Sequence, residues 1–104
     1  MIKVSKDMNI YKNKKILVTG GTGLIGRPLV KMLIAKGAKV RIASLDDHSS
    51  ANPEAEFLKG NLTNWDFCKK AVKGMDYVFN LTGTKGDVSA GITKAASFFV
   101  PHLV

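Results

Sequence analysis

The run Thr19-Gly20-Gly21-Thr22-Gly23-Leu24-Ile25-Gly26 holds the residues whose types and spacing can do the most chemistry in this sequence. Gly21, Gly23 and Gly26 satisfy G-x-G-x-x-G. One glycine permits a tight turn, one lets a pyrophosphate reach the backbone, and one lets a following helix pack close with its N-terminus facing the negative charge. The implied chemistry is capture of a dinucleotide by its pyrophosphate. The nucleoside-triphosphate loop G-x-x-x-x-G-K-[ST] is not matched, because Arg27 and Pro28 follow Gly26, which argues against an ATP or GTP hydrolase. Tyr11 and Lys15 fit Y-x-x-x-K by spacing, but they precede the first strand and lack a helical apolar period, so no catalysis is expected of them. Cys68 is the lone cysteine and reads as a helix residue near the core, and Tyr77 as sheet packing. His48 and His102 have no partners at metal-ligand spacing, so no metal site is expected.

These residues need elements to position them. Lys15-Ile16-Leu17-Val18-Thr19 is a short, β-branched, apolar run that reads as a buried strand feeding the glycine turn. From Leu24, the positions Ile25, Leu29, Met32 and Leu33 recur at helical spacing until Gly37, a C-cap glycine. Pro28 within such a helix predicts a small kink. Val40 to Ala43 reads as a second strand, Asp46 to Pro53 as a loop, and Glu56-Phe57-Leu58 as a weak third strand. Thr63 with Asp66 resembles a capping box that opens a helix through Phe67, Ala71 and Val72 and closes at Gly74. Asp76 to Leu81 is a fourth strand, and Ala95 to Val104 looks like the start of another helix without a cap. Strands alternating with helices predict βαβ units, hence an α/β fold with a partial doubly wound parallel sheet of about four strands. Residues 1–13 read as a basic N-terminal extension and 14–104 as the front part of one domain.

The strings TGGTGLIG, GNLTN at Gly60–Asn64 and MDYVFNLTG at Met75–Gly83 together resemble the extended short-chain dehydrogenase/reductase family of nucleotide-sugar epimerases, dehydratases and reductases. The resemblance runs from about Lys14 onward and implies an NAD(P)-binding Rossmann fold. It places Gly20, Gly23 and Gly26 in the family's glycine motif, with the Leu24 and Ile25 amides on the pyrophosphate. It puts Asn61 where the family usually has an Asp accepting from the adenine amino group, and Leu62 over adenine. Leu81, Thr82 and Gly83 match the segment beneath the nicotinamide-side ribose, and Lys85 a position where some epimerases place a lysine near the phosphates. Where NAD-preferring members end the second strand with an acid, this sequence has Ser44, with Asp46 and Asp47 just beyond. Two nearby carboxylates repel a 2′-phosphate, and neither Ala43 nor Leu45 is an arginine, so the reading leans to NAD and leaves NADP open. The family's chemistry needs a Tyr as general acid or base, a Lys four residues later and a Ser or Thr, carried by a fifth strand and its helix. The expectation is that these 104 residues stop short of them and are inactive alone. A non-catalytic dinucleotide sensor is the alternative.

Sixteen Lys and Arg against eight Asp and Glu give a net charge of +8, but the cations are scattered without interleaved aromatics, so no nucleic-acid partner is expected. The lone cysteine and the lack of a signal-like or membrane-length apolar run predict a cytoplasmic chain without a membrane partner. An uncovered fourth-strand edge and the apolar tail Phe98, Phe99, Val100, Leu103 and Val104 predict self-association.

Overall fold

The computed structural model describes residues 8–46, 48–81, 86–100 and 102–103. Five strands, β1 (Lys15–Thr19), β2 (Lys39–Ser44), β3 (Glu56–Lys59), β4 (Tyr77–Asn80) and β5 (His102–Leu103), form one sheet in the order β3-β2-β1-β4-β5. Every pairing is parallel, as helical crossovers require. Helices α1 (Gly26–Ala35), α2 (Trp65–Val72) and α3 (Gly86–Phe99) connect β1 to β2, β3 to β4 and β4 to β5, and a loop with a short helical turn at His48–Ser50 connects β2 to β3.

The strand alternation divides the core in two. Ile16, Val18, Val40 and Ile42 face Val30 and Leu33 of α1, while Leu17, Ala43 and Val78 face Cys68, Ala71 and Val72 of α2 and Ile92, Ala95 and Ala96 of α3. Each large aliphatic side chain so buried contributes about 1.5–3 kcal/mol relative to exposure. β1 is central and buried on both faces, which explains its continuous apolar run.

Four sequence expectations change. α1 starts at Gly26, not Leu24, and buries Gly26, Val30 and Leu33, while Met32 is exposed. Pro28 therefore occupies the third helical position, where its missing N–H is one of the orphan donors of the first turn, and the cause for a kink disappears. Asn64, not Thr63, caps α2 by accepting a 2.9 Å bond from the Phe67 amide. The tail is the end of a helix rather than its beginning: α3 stops at Phe99, and after Pro101 the chain pairs as β5 with Tyr77 and Val78 of β4. That pairing also covers part of the β4 edge expected to be bare. The predicted C-cap at Gly37 is present, with φ +87° and bonds from the Gly37 amide to Ile34 O and from the Ala38 amide to Leu33 O.

Candidate functional site

The C-terminal ends of β1 and β4 diverge toward α1 on one face and α3 on the other, leaving a crevice of the kind where open α/β sheets bind ligands. A cleft of about 430 Å³ lies there, lined by Gly20, Gly23, Leu24, Ile25, Gly26 and Leu81 together with Asn80. Six of the residues singled out from sequence are thus brought together. A charged depression of about 410 Å³ sits between the N-terminal ends of the strands, among Lys15, Lys39 and Glu56, and has no part in this crevice.

The glycine turn is built for approach. Gly20 takes φ +76°, and a Cβ there would meet Leu81 O at 2.9 Å, so only glycine suits the position. A Cβ on Gly26 would collide with the Gly20 carbonyl, which is how α1 comes so close to the turn. Gly23 differs: its Cβ would meet nothing nearer than Gly20 O at 3.4 Å, so the fold itself has room for a side chain there. Leu24 and Ile25 are 96% and 72% exposed, an unfavourable arrangement for apolar side chains that leaves the α1 N-terminus open. No side chain caps this end, and among the described residues the Leu24 and Ile25 amides have no intramolecular partner. The expected helical role of these two residues is replaced by one at the mouth of the cleft.

The buried polar side chains among the described residues are Thr19, Thr22 and Ser44, all at this end of the sheet. Thr19 Oγ1 donates to Asn80 Oδ1 at 2.7 Å and accepts from the Leu81 amide at 3.2 Å, tying β1 to β4 under the cleft. Thr22 Oγ1 donates to Asp46 Oδ2 at 2.5 Å, and Ser44 Oγ accepts from the Asp46 amide at 3.0 Å. With the Thr22 proton committed to the carboxylate, the 3.4 Å contact between Thr22 and Ser44 has Ser44 as donor. Asp46 is thereby held against the glycine turn beside Ser44. Sequence reasoning singled out Ser44 and Asp46 but missed Thr22 and Thr19, whose signal was a threonine inside and just before the glycine run.

Asn61 and Leu62 follow β3 and are drawn toward β2 by the Gly60 amide bond to Ser44 O, 3.0 Å. Asn61 Oδ1 accepts from both the amide and the hydroxyl of Thr63, at 2.9 and 2.7 Å. Both lone pairs of that oxygen are occupied, so its assignment to an adenine amino group requires the Thr63 hydroxyl to turn away. Leu62 is buried, and its carbonyl accepts from the Cys68 thiol at 3.0 Å. Thr82, Gly83 and Lys85 lie outside the described residues, as does Asp47. Tyr11 packs edge-on to Tyr77, with ring centroids 5.3 Å apart, beside the opposite end of the sheet from the glycine turn, and Lys15 opens β1 there. Arg41 faces away from the cleft, toward Glu56 and the end of α2. No group of three or more metal-ligating side chains occurs among the described residues.

The model of the NAD dependent epimerase/dehydratase family matches residues 16–103. An epimerase family protein of Staphylococcus saprophyticus is 36% identical over 70 residues, covering 67% of this chain and 22% of the relative. A UDP-glucose 4-epimerase of Rickettsia bellii is 32% identical over 88 residues, covering 73% of this chain and 26% of the relative. The chain thus spans about a quarter or less of these curated relatives. Among solved structures, the epimerase Mth375 of Methanothermobacter thermautotrophicus superposes with TM-score 0.79 at 23% identity, over 98% of this chain and 38% of that one. The Bordetella bronchiseptica enzyme WbmF, solved with NAD+ and UDP, superposes with TM-score 0.75 at 18% identity, over 91% and 36%. These structural likenesses establish the Rossmann-like fold, and the family match establishes descent: the chain belongs to the NAD-dependent epimerase/dehydratase family.

Proposed function

We propose that these 104 residues are the dinucleotide-binding part of an NAD(P)-dependent epimerase, dehydratase or reductase acting on a nucleotide sugar, in the cytoplasm. The observation that carries the reading is the open α1 N-terminus, where Leu24 and Ile25, whose amides have no partner among the described residues, line a cleft together with three glycines. A pyrophosphate fits that donor set and the positive end of the helix. Asp46, oriented by Thr22 and Ser44, is the acceptor for the adenosine 2′-hydroxyl of NAD. By the family resemblance Asn61 and Leu62 are assigned to the adenine, and Leu81, Thr82, Gly83 and Lys85 to the nicotinamide half. The bound nicotinamide supplies hydride transfer. No tyrosine–lysine pair stands at the cleft among the described residues, so the chain alone binds without turning over. The same observation favours the second reading, a non-catalytic dinucleotide-binding module, which a full-length polypeptide with a Tyr-x-x-x-Lys helix would displace.

The two glycines separate binding from folding. Gly23→Val is expected to keep the native circular dichroism and melting behaviour yet weaken NAD binding at least tenfold by calorimetry, because the side chain fills only the ligand's approach. Gly26→Val is expected to unfold the domain. Unchanged affinity in Gly23→Val, or no binding of NAD or NADP to the wild-type chain, would refute the site.

A further inference from the structure

We propose that the end of the sheet opposite the cleft carries a separate anion site, in which the depression among Lys15, Lys39 and Lys73 binds a compact polyanion, a molecule with two or more linked phosphate groups. The proposal is independent of the dinucleotide reading.

The cations of this site come from three separate segments, and the fold collects them. Lys15 and Lys39 open β1 and β2 and stand directly across from each other in the parallel register. Strand alternation puts Lys15 on the face of Leu17, and Lys39 and Arg41 on the face of Ala43, the side packed by α2. Lys73 follows the last residue of α2 and lines the same depression, of about 410 Å³. Met75, buried in the core on the α2 side, forms part of its wall, so the depression is set into the fold.

Charge decides what the depression holds. Its ionic lining is Lys15, Lys39, Arg41 and Lys73 against Glu54 and Glu56. Arg41 is committed to the fold: its Nε pairs with Glu56 at 2.9 Å, and its Nη1 donates to the carbonyls of Ala71 and Lys73, covering the negative end of α2 that would otherwise repel an anion. Asp76 lies outside the lining, and its carboxylate accepts from the Lys15 amide at 2.9 Å. With Glu56 neutralised, three lysines stand against Glu54 alone. None of the three ammonium groups has an ion-pair or hydrogen-bond partner among the described residues. Folding gains nothing from Lys15 beside Lys39, because like charges directly opposite repel and strand ends lack the dipole that draws cations to helix C-termini. One exposed lysine holds an anion weakly in water, so retention needs a ligand that engages all three at once, which selects linked phosphates over a single one.

Tripolyphosphate is the probe, titrated at fixed ionic strength into the isotope-labelled 104-residue chain while two-dimensional NMR reads each backbone amide. Binding here and binding at the glycine turn are thereby told apart. The amides of Lys15, Lys39 and Gly74 are expected to shift along a saturating curve. Lys15→Gln/Lys39→Gln/Lys73→Gln is expected to weaken that binding at least tenfold and to leave any response of Gly20, Gly23 and Gly26 within twofold. A control, Lys31→Gln/Lys69→Gln/Lys94→Gln, removes the same charge elsewhere and is expected to leave the affinity within twofold. Spectral dispersion reports the fold of each variant, and the wild-type titration decides by itself if the first variant fails to fold. Wild-type shifts confined to the glycine run, shifts that grow at every lysine alike without saturating, or an equal loss in the control each overturn the site. A saturating response here with none in the glycine run supports this site and counts against the dinucleotide reading alone.

Discussion

Cys68 shows how a residue outside the cleft shapes it. Its thiol, fully buried on α2, donates to the Leu62 carbonyl and fixes the segment that carries Asn61 and Leu62. Burial pushes the Cys68 thiol up, so the native state holds this proton more tightly than the unfolded chain does. Stability from this group is accordingly full below the ordinary thiol range, about pH 8.5, and is lost as pH rises through it toward the raised native value. Urea unfolding of wild type and Cys68→Ala between pH 7 and 10 is expected to show the wild-type advantage shrinking above about pH 8.5. Parallel curves would contradict this assignment. At this scale the sequence named the candidates, the motif glycines by their spacing and Ser44, Asp46 and Asn61 through the family resemblance. What spacing could not disclose was division of labour, because Gly26 serves packing and Gly23 serves approach only once the Gly20 carbonyl is placed in space. The Thr63 bonds to Asn61 were equally hidden, being local geometry rather than pattern.

Elements were legible where burial dictates pattern and obscured where the site overrides it. β1 through β4 were readable from short β-branched runs, but Leu24 and Ile25 look helical in sequence because periodicity assumes that apolar residues seek the core. They do not here. The α3 end was misread for a related reason, since the apolar run Phe98-Phe99-Val100 hid the helix end at Phe99. Arg41 is the element-scale device that no pattern announced. Its Nη1 donates to the carbonyls of Ala71 at 2.9 Å and Lys73 at 3.1 Å at the end of α2, while its Nε pairs with Glu56 on β3. It joins two strands and a helix terminus, complementing the negative helix end. Arg41→Ala is expected to cost about 2 kcal/mol in urea unfolding, most of it from the partly buried carbonyl contacts rather than the pair with exposed Glu56. Arg41→Lys, which keeps charge but loses the planar fork, is expected to recover less than half. A loss below about 0.5 kcal/mol for Arg41→Ala would show those contacts to be incidental.

For the molecule as a whole, a charge of +8 and an exposed aromatic pair pull in opposite directions. The expected bare edge of β4 is partly occupied by β5, so the surface from which association is expected is Phe98 and Phe99, 68% and 56% exposed with rings 6.2 Å apart on α3. Sedimentation across a concentration series in moderate salt is expected to show reversible self-association that strengthens as salt screens the charge. Phe98→Ser/Phe99→Ser is expected to leave a monomer. A wild-type chain that stays monomeric at high concentration, or a double variant that associates equally, would remove this face from consideration.

The strand order has a temporal consequence. β1 is the central strand, yet its two neighbours are made at very different moments: β2 pairs with it from residues 39–43, while β4 arrives only with residues 77–80. During synthesis, a nascent chain that has emerged through β3 holds its most apolar strand open along one side, with the Lys15, Leu17 and Thr19 backbone groups that face β4 offering an unpaired row of donors and acceptors. The bonds from Thr19 to Asn80 and Leu81, 61 and 62 residues in span, are tied late beneath the cleft. On the proposed dinucleotide reading, ligand capture is expected only after the ribosome has delivered both walls of the cleft.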